Sequence, residues 1–337
     1  MAQIFHKQRN NLFLLKETTP GTWMTGTSVY VAANARVPVR NLKFKVQNKE
    51  IERYIERNSL DSIESLFYGE TGEITFETDL YTLGTIGATQ TNPDVGMDLL
   101  WKLAFNSATF VANTSLTYAE NTSSQVRASV GVEFISEDGT ASFRCGIKGA
   151  AAKVKMDLQV GAQGVLTWTL TGPIAYESTV PQIGIAGTPV ASIVRDTMLG
   201  RVPQFKGVAF SVGGVARQIS KLSLDWGIST DLNTDSLDPT TYERAIITER
   251  KPSISIDPQT TPKATQDDFG LFFAGTSAAM SIVLGSGAGK VCTITIPNIQ
   301  RKTADFGERG VITTTETTFR VNGNSDGGED AITVAFT

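Results

Sequence analysis

Apolar residues at alternate positions recur in this chain at a fixed spacing. In "NLKFKVQN" (41–48) Leu42, Phe44 and Val46 alternate with polar residues, and 180 positions later "KLSLDWGI" (221–228) places Leu222, Leu224 and Trp226 at the corresponding sites. Alternation of this kind turns one side of a strand to a core and leaves the other, here Lys43 and Lys45 or Ser223 and Asp225, facing water. The same offset of 180 joins Ile74 and Phe76 of "YGETGEITFETDL" (68–80) to Ile254 and Ile256 of "ITERKPSISIDPQ" (247–259). A third echo, "GAQGVLT" (161–167) with "GERGVIT" (307–313), keeps the order at an offset of 146. Strands resemble one another by physics alone, so one match means little. Three in the same order argue for a domain written twice.

At 337 residues the chain has room for two cores of ordinary size. Its content of 40% hydrophobic and 19% charged residues is that of a globular protein. A formal net charge of -4 argues against a general binder of nucleic acid or anionic membrane, yet suits a surface past which DNA travels. In "MAQIFHKQRNNLFLLKETTPGTW" (1–23) the only apolar run is 12–15, followed by Lys16 and Glu17, so neither a signal peptide nor a membrane span is expected there. Cys145 and Cys292 lack metal-ligand spacing and are expected to be reduced core thiols.

Strand patterns dominate both halves: 27–33, 129–136, 152–160 and 164–172, then 207–214, 279–285, 290–297 and 313–321. The best helical signal is "DVGMDLLWKLAFN" (94–106), which Asp94 can cap and whose apolar face is built from Leu99, Leu100, Trp101 and Leu103. The shorter "TQDDFGLFFAG" (265–275) stands in the matching place of the second half. Expected, therefore, are a mainly β fold, a β-domain over 1–172 and another over 204–337, each with a short flanking helix, and a proline-containing linker over 173–203. Between the echoed strands of each half lies a long polar segment, 49–65 and 229–245. Such lengths in a compact domain point to a solvated excursion or to an arm that contacts another subunit.

No constellation supports catalysis. "GSGAGKV" (285–291) has Leu284 where a P-loop needs glycine and Val291 where it needs Ser or Thr, and strands flank it on both sides. A glycine-rich hairpin accounts for it better. His6 is the one histidine, so Ser-His-Asp chemistry and His metal sites lose their central residue. Asp267 and Asp268 suit a helix start. "NGNSDGGED" (322–330) lacks the ligand alternation and closing Glu of a calcium loop, and reads as a solvated turn. Trp23, Trp101, Trp168 and Trp226 have apolar neighbours and are expected in the core. No cofactor and no metal are expected.

One segment is more specific than its period. "VPQFKGVAFSVGGVARQISKLSLDWG" (202–227), followed by "AIITERKPSISIDPQ" (245–259), resembles the tail tube proteins of long-tailed bacteriophages, through Gly207, Phe210, Gly213, Gly214, Leu222, Leu224, Asp225, Gly227, Arg250, Pro252, Asp257 and Pro258. The opening "LLKETTPGTW" (14–23) and "GIKGAAAKVKMDLQVGAQGVLTWTLTG" (146–172) also look like that family. The resemblance implies two tandem tail-tube-type β-sandwich domains, joined side by side through their sheets into rings that stack into a hollow conduit for DNA. It implies a structural role without enzymatic activity, in the virion tail after assembly in the host cytoplasm. Partners implied are further copies of the chain together with tape-measure, tail-terminator and distal tail proteins, and DNA passing without specific binding; no membrane is implied. The doubling departs from a single-domain subunit and implies three chains per ring, presenting six quasi-equivalent domains.

On this reading the long segments are arms to the adjacent ring, carried by Lys49, Glu50, Glu52, Arg53, Glu56, Arg57 and Asp61 in the first half and by Asp231, Asp235, Asp238, Glu243 and Arg244 in the second. Glu73, Thr75, Glu77, Ser253, Ser255 and Asp257 are expected to face the lumen or an inter-subunit sheet, with the lumen neutral to negative because phosphate contacts would make DNA stick. The competing expectation is another tail component, a tip, baseplate or fibre β-sandwich.

Overall fold

The computed structural model describes residues 4–53, 64–82, 84, 86–88, 96–195, 205, 206, 208–326 and 328–337. The alternating segments form strands throughout, and the fold is mainly β. The first half contributes β1 (Phe5–Lys16), β2 (Arg40–Ile51), β3 (Leu66–Asp79), β4 (Asn106–Val111), β5 (Ser115–Glu120), β6 (Ala128–Ser136), β7 (Ser142–Gln159) and β8 (Val165–Pro173), then the short β9 (Tyr176–Glu177), β10 (Val180–Pro181) and β11 (Ile183–Gly187). The second contributes β12 (Ala209–Val212), β13 (Val215–Ala216), β14 (Lys221–Asp225), β15 (Ile228–Thr234), β16 (Tyr242–Arg250), β17 (Ser253–Ile256), β18 (Ser277–Leu284), β19 (Cys292–Arg309), β20 (Ile312–Val321) and β21 (Thr333–Phe336). Helices are α1 (Gly26–Val29), α2 (Gly96–Phe105) and α3 (Asp268–Phe273).

One antiparallel sheet passes through both halves in the order β2-β3-β8-β7-β14-β17-β20-β19. The register of β2 on β3 recurs in the second half at the offset seen in the sequence. Phe44 faces Ile74 as Leu224 faces Ile254, and Lys45 faces Glu73 as Asp225 faces Ser253. The match survives an irregularity: a bulge shifts both ladders by one residue, after which Glu50 faces Phe67 and Ile51 faces Leu66, while Thr230 faces Ile247 and Asp231 faces Ile246. In the second half Pro252, which cannot donate to a ladder, separates β16 from β17.

A second layer is built from β1, β6, β11 and the start of β7, and from β12, β18, β21 and the start of β19, extended by β5 and β4. At 18 residues each, β7 and β19 serve both layers. The core lies between them. Helix α2 is buried on every side apart from Lys102, as a helix with apolar side chains all round must be, and Asp98 is the charged group it takes inside. Its Trp101 ring lies 5.2 Å from that of Trp168, 5.8 Å from Trp226 and 6.1 Å from Phe336, so one side chain joins strands of both halves. Asp98, buried on the same helix, accepts from the Tyr118 hydroxyl at 2.6 Å and from Lys102 Nζ at 2.8 Å.

Some expectations are corrected. Residues 27–33, read as a strand, form α1 and a 3-10 turn over Ala32–Asn34, because Asn34 Nδ2 donates to the carbonyls of Ser28 and Val29 and curls the chain. The linker is in part a strand: Ile183–Gly187 pairs with β7. The 229–245 segment is the β15–β16 hairpin instead of a loop. Asp267 does cap a helix, accepting from Gly270 N at 2.8 Å, but Asp268 is a buried ion-pair centre for Arg217 at 2.7 Å and Arg301 at 2.8 Å. Asp94 lies outside the described residues. "GSGAGKV" is the turn between β18 and β19.

Candidate assembly surfaces

The side of the long sheet that faces away from the core is largely polar, with Val165 among its apolar exceptions. Lys43 faces Thr75, Thr75 faces Thr169, Thr169 faces Lys153, and beyond the middle Asp157 faces Ser223, Ser223 faces Ser255 and Ser255 faces Thr318. Acidic and basic side chains are interspersed. Arg40 pairs with Asp79 at 2.7 Å, and Lys221 lies 3.7 Å from Glu316. The Lys221 pair is exposed and the Arg40 pair partly so, and such surface pairs contribute little to stability. A cleft of ≈ 600 Å³ opens on this side, lined in part by Asp157, Lys221, Ser223, Ser255, Glu316 and Thr318.

Midway along the sheet, β7 of the first half pairs with β14 of the second, Met156 facing Leu224 and Lys155 facing Asp225. This junction is closed from two directions. Trp226, 1% exposed, stacks edge-on to Trp101 of α2. The β15–β16 hairpin lies sideways over β7 and β8, where Lys148 forms an ion pair with Asp238 and Arg127 Nε donates to the Ala245 carbonyl at 2.6 Å. Two glycines make this approach possible: a Cβ on Gly149 would stand 2.5 Å from that of Arg244, and one on Gly69 would stand 2.8 Å from the Tyr242 ring.

At its two ends the sheet is open. Among the described residues, β2 pairs with β3 alone, and 303–309 of β19 pair with β20 alone. The register makes these edges counterparts of the two that meet at the junction. Val154 faces Trp168, which faces Phe76; Ala304 faces Thr317, which faces Ile256. Two residues further on, Met156 therefore corresponds to Phe306. Met156 is fully buried, whereas Phe306 is 70% exposed and touches Phe269 of α3 at 4.8 Å between ring centres. Phe273 at the end of α3 is 81% exposed. At the other end, Val46, the counterpart of Trp226, is 50% exposed, and Phe67, the counterpart of Ile247, is 63% exposed.

The expected site residues distribute unevenly over these surfaces. Glu73, Thr75, Glu77, Ser253 and Ser255 share the polar side of the sheet. Asp257 does not: it is buried just past β17, accepts from Ser220 N and Lys221 N at 2.8 Å each, and fixes the start of β14. Lys49 sits 5.3 Å from the Tyr242 ring centre, and Glu50, Glu52 and Arg53 are exposed. Glu56, Arg57 and Asp61 lie outside the described residues. In the second arm Asp231 and Asp235 accept from the nearby amides of Leu232 and Leu237, while Asp238 binds Lys148. Glu243 accepts from Asn233 Nδ2 at 2.6 Å, and Arg244 reaches the Pro20 carbonyl. The exposed aromatics Phe67, Phe273 and Phe306 were not among the expected residues, since alternation marks a side of a strand without saying what covers it. Compared with known proteins, the chain matches no family model and no curated protein sequence.

Proposed function

We propose that this chain is the structural subunit of the tail tube of a long-tailed bacteriophage, built as two tandem tail-tube-type β domains (1–172 and 204–337, linker 173–203) and without catalytic activity. One observation carries the reading: the sheet contains a completed lateral junction at β7–β14 and ends in two open edges that are the register counterparts of that junction. A heterologous contact that repeats and closes makes a ring, and unpaired strand edges must be covered or used. Three chains, each contributing two units, close a pseudo-six-fold ring, and rings stack into the tube. The polar side of the sheet, with Glu73, Thr75, Glu77, Ser253 and Ser255, faces the lumen, where hydroxyls and balanced charge give DNA phosphates no array of cations to hold. Tape-measure, terminator and distal tail proteins are the partners this role requires, in a virion tail assembled in the host cytoplasm.

Electron microscopy of the purified protein across a concentration series, with averaged end-on views, tests the proposal. Hollow rings of three chains are the expected result. Six-chain rings overturn the duplication reading, and compact closed oligomers without a lumen overturn the tube.

A further inference from the structure

We infer that the arm formed by the ends of β2 and β3 is a lateral clasp on a second copy of this chain, seating on its α3 and β19, and not a contact between stacked rings. This rests on the ring reading above but makes a separate claim, because the arms were expected to run along the tube axis.

The two arms share a register. Beyond the bulge, β2–β3 and β15–β16 pair at the offset of 180, Glu50 with Phe67 as Thr230 with Ile247 and Ile51 with Leu66 as Asp231 with Ile246. The second arm is seen in its docked state, lying across the neighbouring unit in the same sheet, with Trp226 and Ile247 of its inner side packed into the main core. Their counterparts on the first arm, Val46 and Phe67, are bare. The receiving surface is bare as well. Where α2 fills the space under the junction with Trp101, α3 presents Phe273, and beside it Phe306 takes the place of Met156. Each end of the sheet thus carries one half of an apolar contact that the middle of the sheet shows complete, and exposed aromatics of this kind mark interaction sites.

Charge supports the same occupant. At the junction Lys155 faces Asp225. Transferred to the open edges, that position sets Asp305 of one copy against Lys45 of the next: the signs exchange strands and remain opposite. A second copy therefore fits in apolar content, register and charge together.

Two sets of variants test the clasp. Phe67→Glu and Phe273→Glu alter exposed side chains, so each is expected to fold with an unchanged melting temperature and to raise the concentration at which rings form at least ten-fold. Lys45→Cys combined with Asp305→Cys in one chain is expected to give, on oxidation, a covalent series ending at three chains. If Phe67→Glu forms normal rings that fail to stack, or normal tubes, the clasp is overturned while the tube stands. A wild-type chain that stays monomeric at every concentration, with no cross-linked species from the double-cysteine variant, overturns both.

Discussion

The β7–β14 junction and the two ends of the sheet are built from corresponding strands in corresponding registers, yet one is buried and the others are bare. At the junction Met156 faces Leu224 over the rings of Trp101 and Trp226; at the ends Phe306 and Val46 stand on equivalent positions with solvent over much of their surface. The strand pattern is the same in both places. What differs is the neighbour: the junction has one from the same chain, and the ends have none among the described residues. On the proposed ring reading a second copy would supply it, and burial at these positions would then depend on assembly as much as on the strand itself.

Four substitutions would break or sharpen this comparison. Trp101→Ala removes the ring that the two halves share and is expected to destabilise the monomer by about 3–5 kcal/mol, measured by denaturant unfolding; a smaller loss would mean that the halves hold together without it. Met156→Ala and Phe306→Ala form a matched pair. The first is expected to cost about 2–5 kcal/mol, the second under about 1 kcal/mol in the monomer, since Phe306 is largely exposed and its ring contact is with Phe269. Equal costs would deny that the positions differ by the missing neighbour. Asp238→Asn removes the ion pair to Lys148 and leaves that ammonium largely buried without its counter-charge. Faster hydrogen exchange confined to β15–β16 is expected, with the sheet unchanged; exchange that spreads evenly would show that the hairpin does not dock as a separate unit.

The smallest effect concerns pH. Burial raises the Glu120 carboxyl above its ordinary value of 4.5, with Arg250 of the hairpin opposing the shift. A raised carboxyl favours the protonated folded state, so this group's effect on stability becomes less favourable as pH rises through 4.5 to the folded value. Glu120→Gln removes that change. The variant is expected to melt slightly higher than wild type at pH 7.5, and the advantage is expected to fade below pH 4.5; an advantage that persists in acid would show that the carboxyl is not the cause.

Much of the inner sheet was legible in the sequence because alternation reports strand faces directly. Leu42, Phe44, Ile74 and Phe76, and their partners 180 positions on, fall where the period puts them. The polar side followed from the same parity, and Asp257 failed only because the strand ends at Ile256 and the chain turns before the parity applies. Residues 27–33 misled for a related reason: β-branched residues favour strands, but the side chain of Asn34 organises a turn that propensity does not record. The hairpin nature of 229–245 was hidden by its polarity, since a ladder that docks in part through Asp238 and Arg244 needs few apolar residues along that stretch. Least legible were Phe67, Phe273 and Phe306, whose meaning lies in the contrast with Ile247, α2 and Met156 and so required the register of both halves.

Because β7 and β14 are tied by one backbone, their pairing is unaffected by dilution. In the ring proposed above, separate chains would have to find each other at every seam, whereas a chain of two units would form one seam in two as it folds, at an effective concentration set by the tether. Such a ring would need half as many encounters and would hold an even number of units, its parity decided at translation, before the first collision.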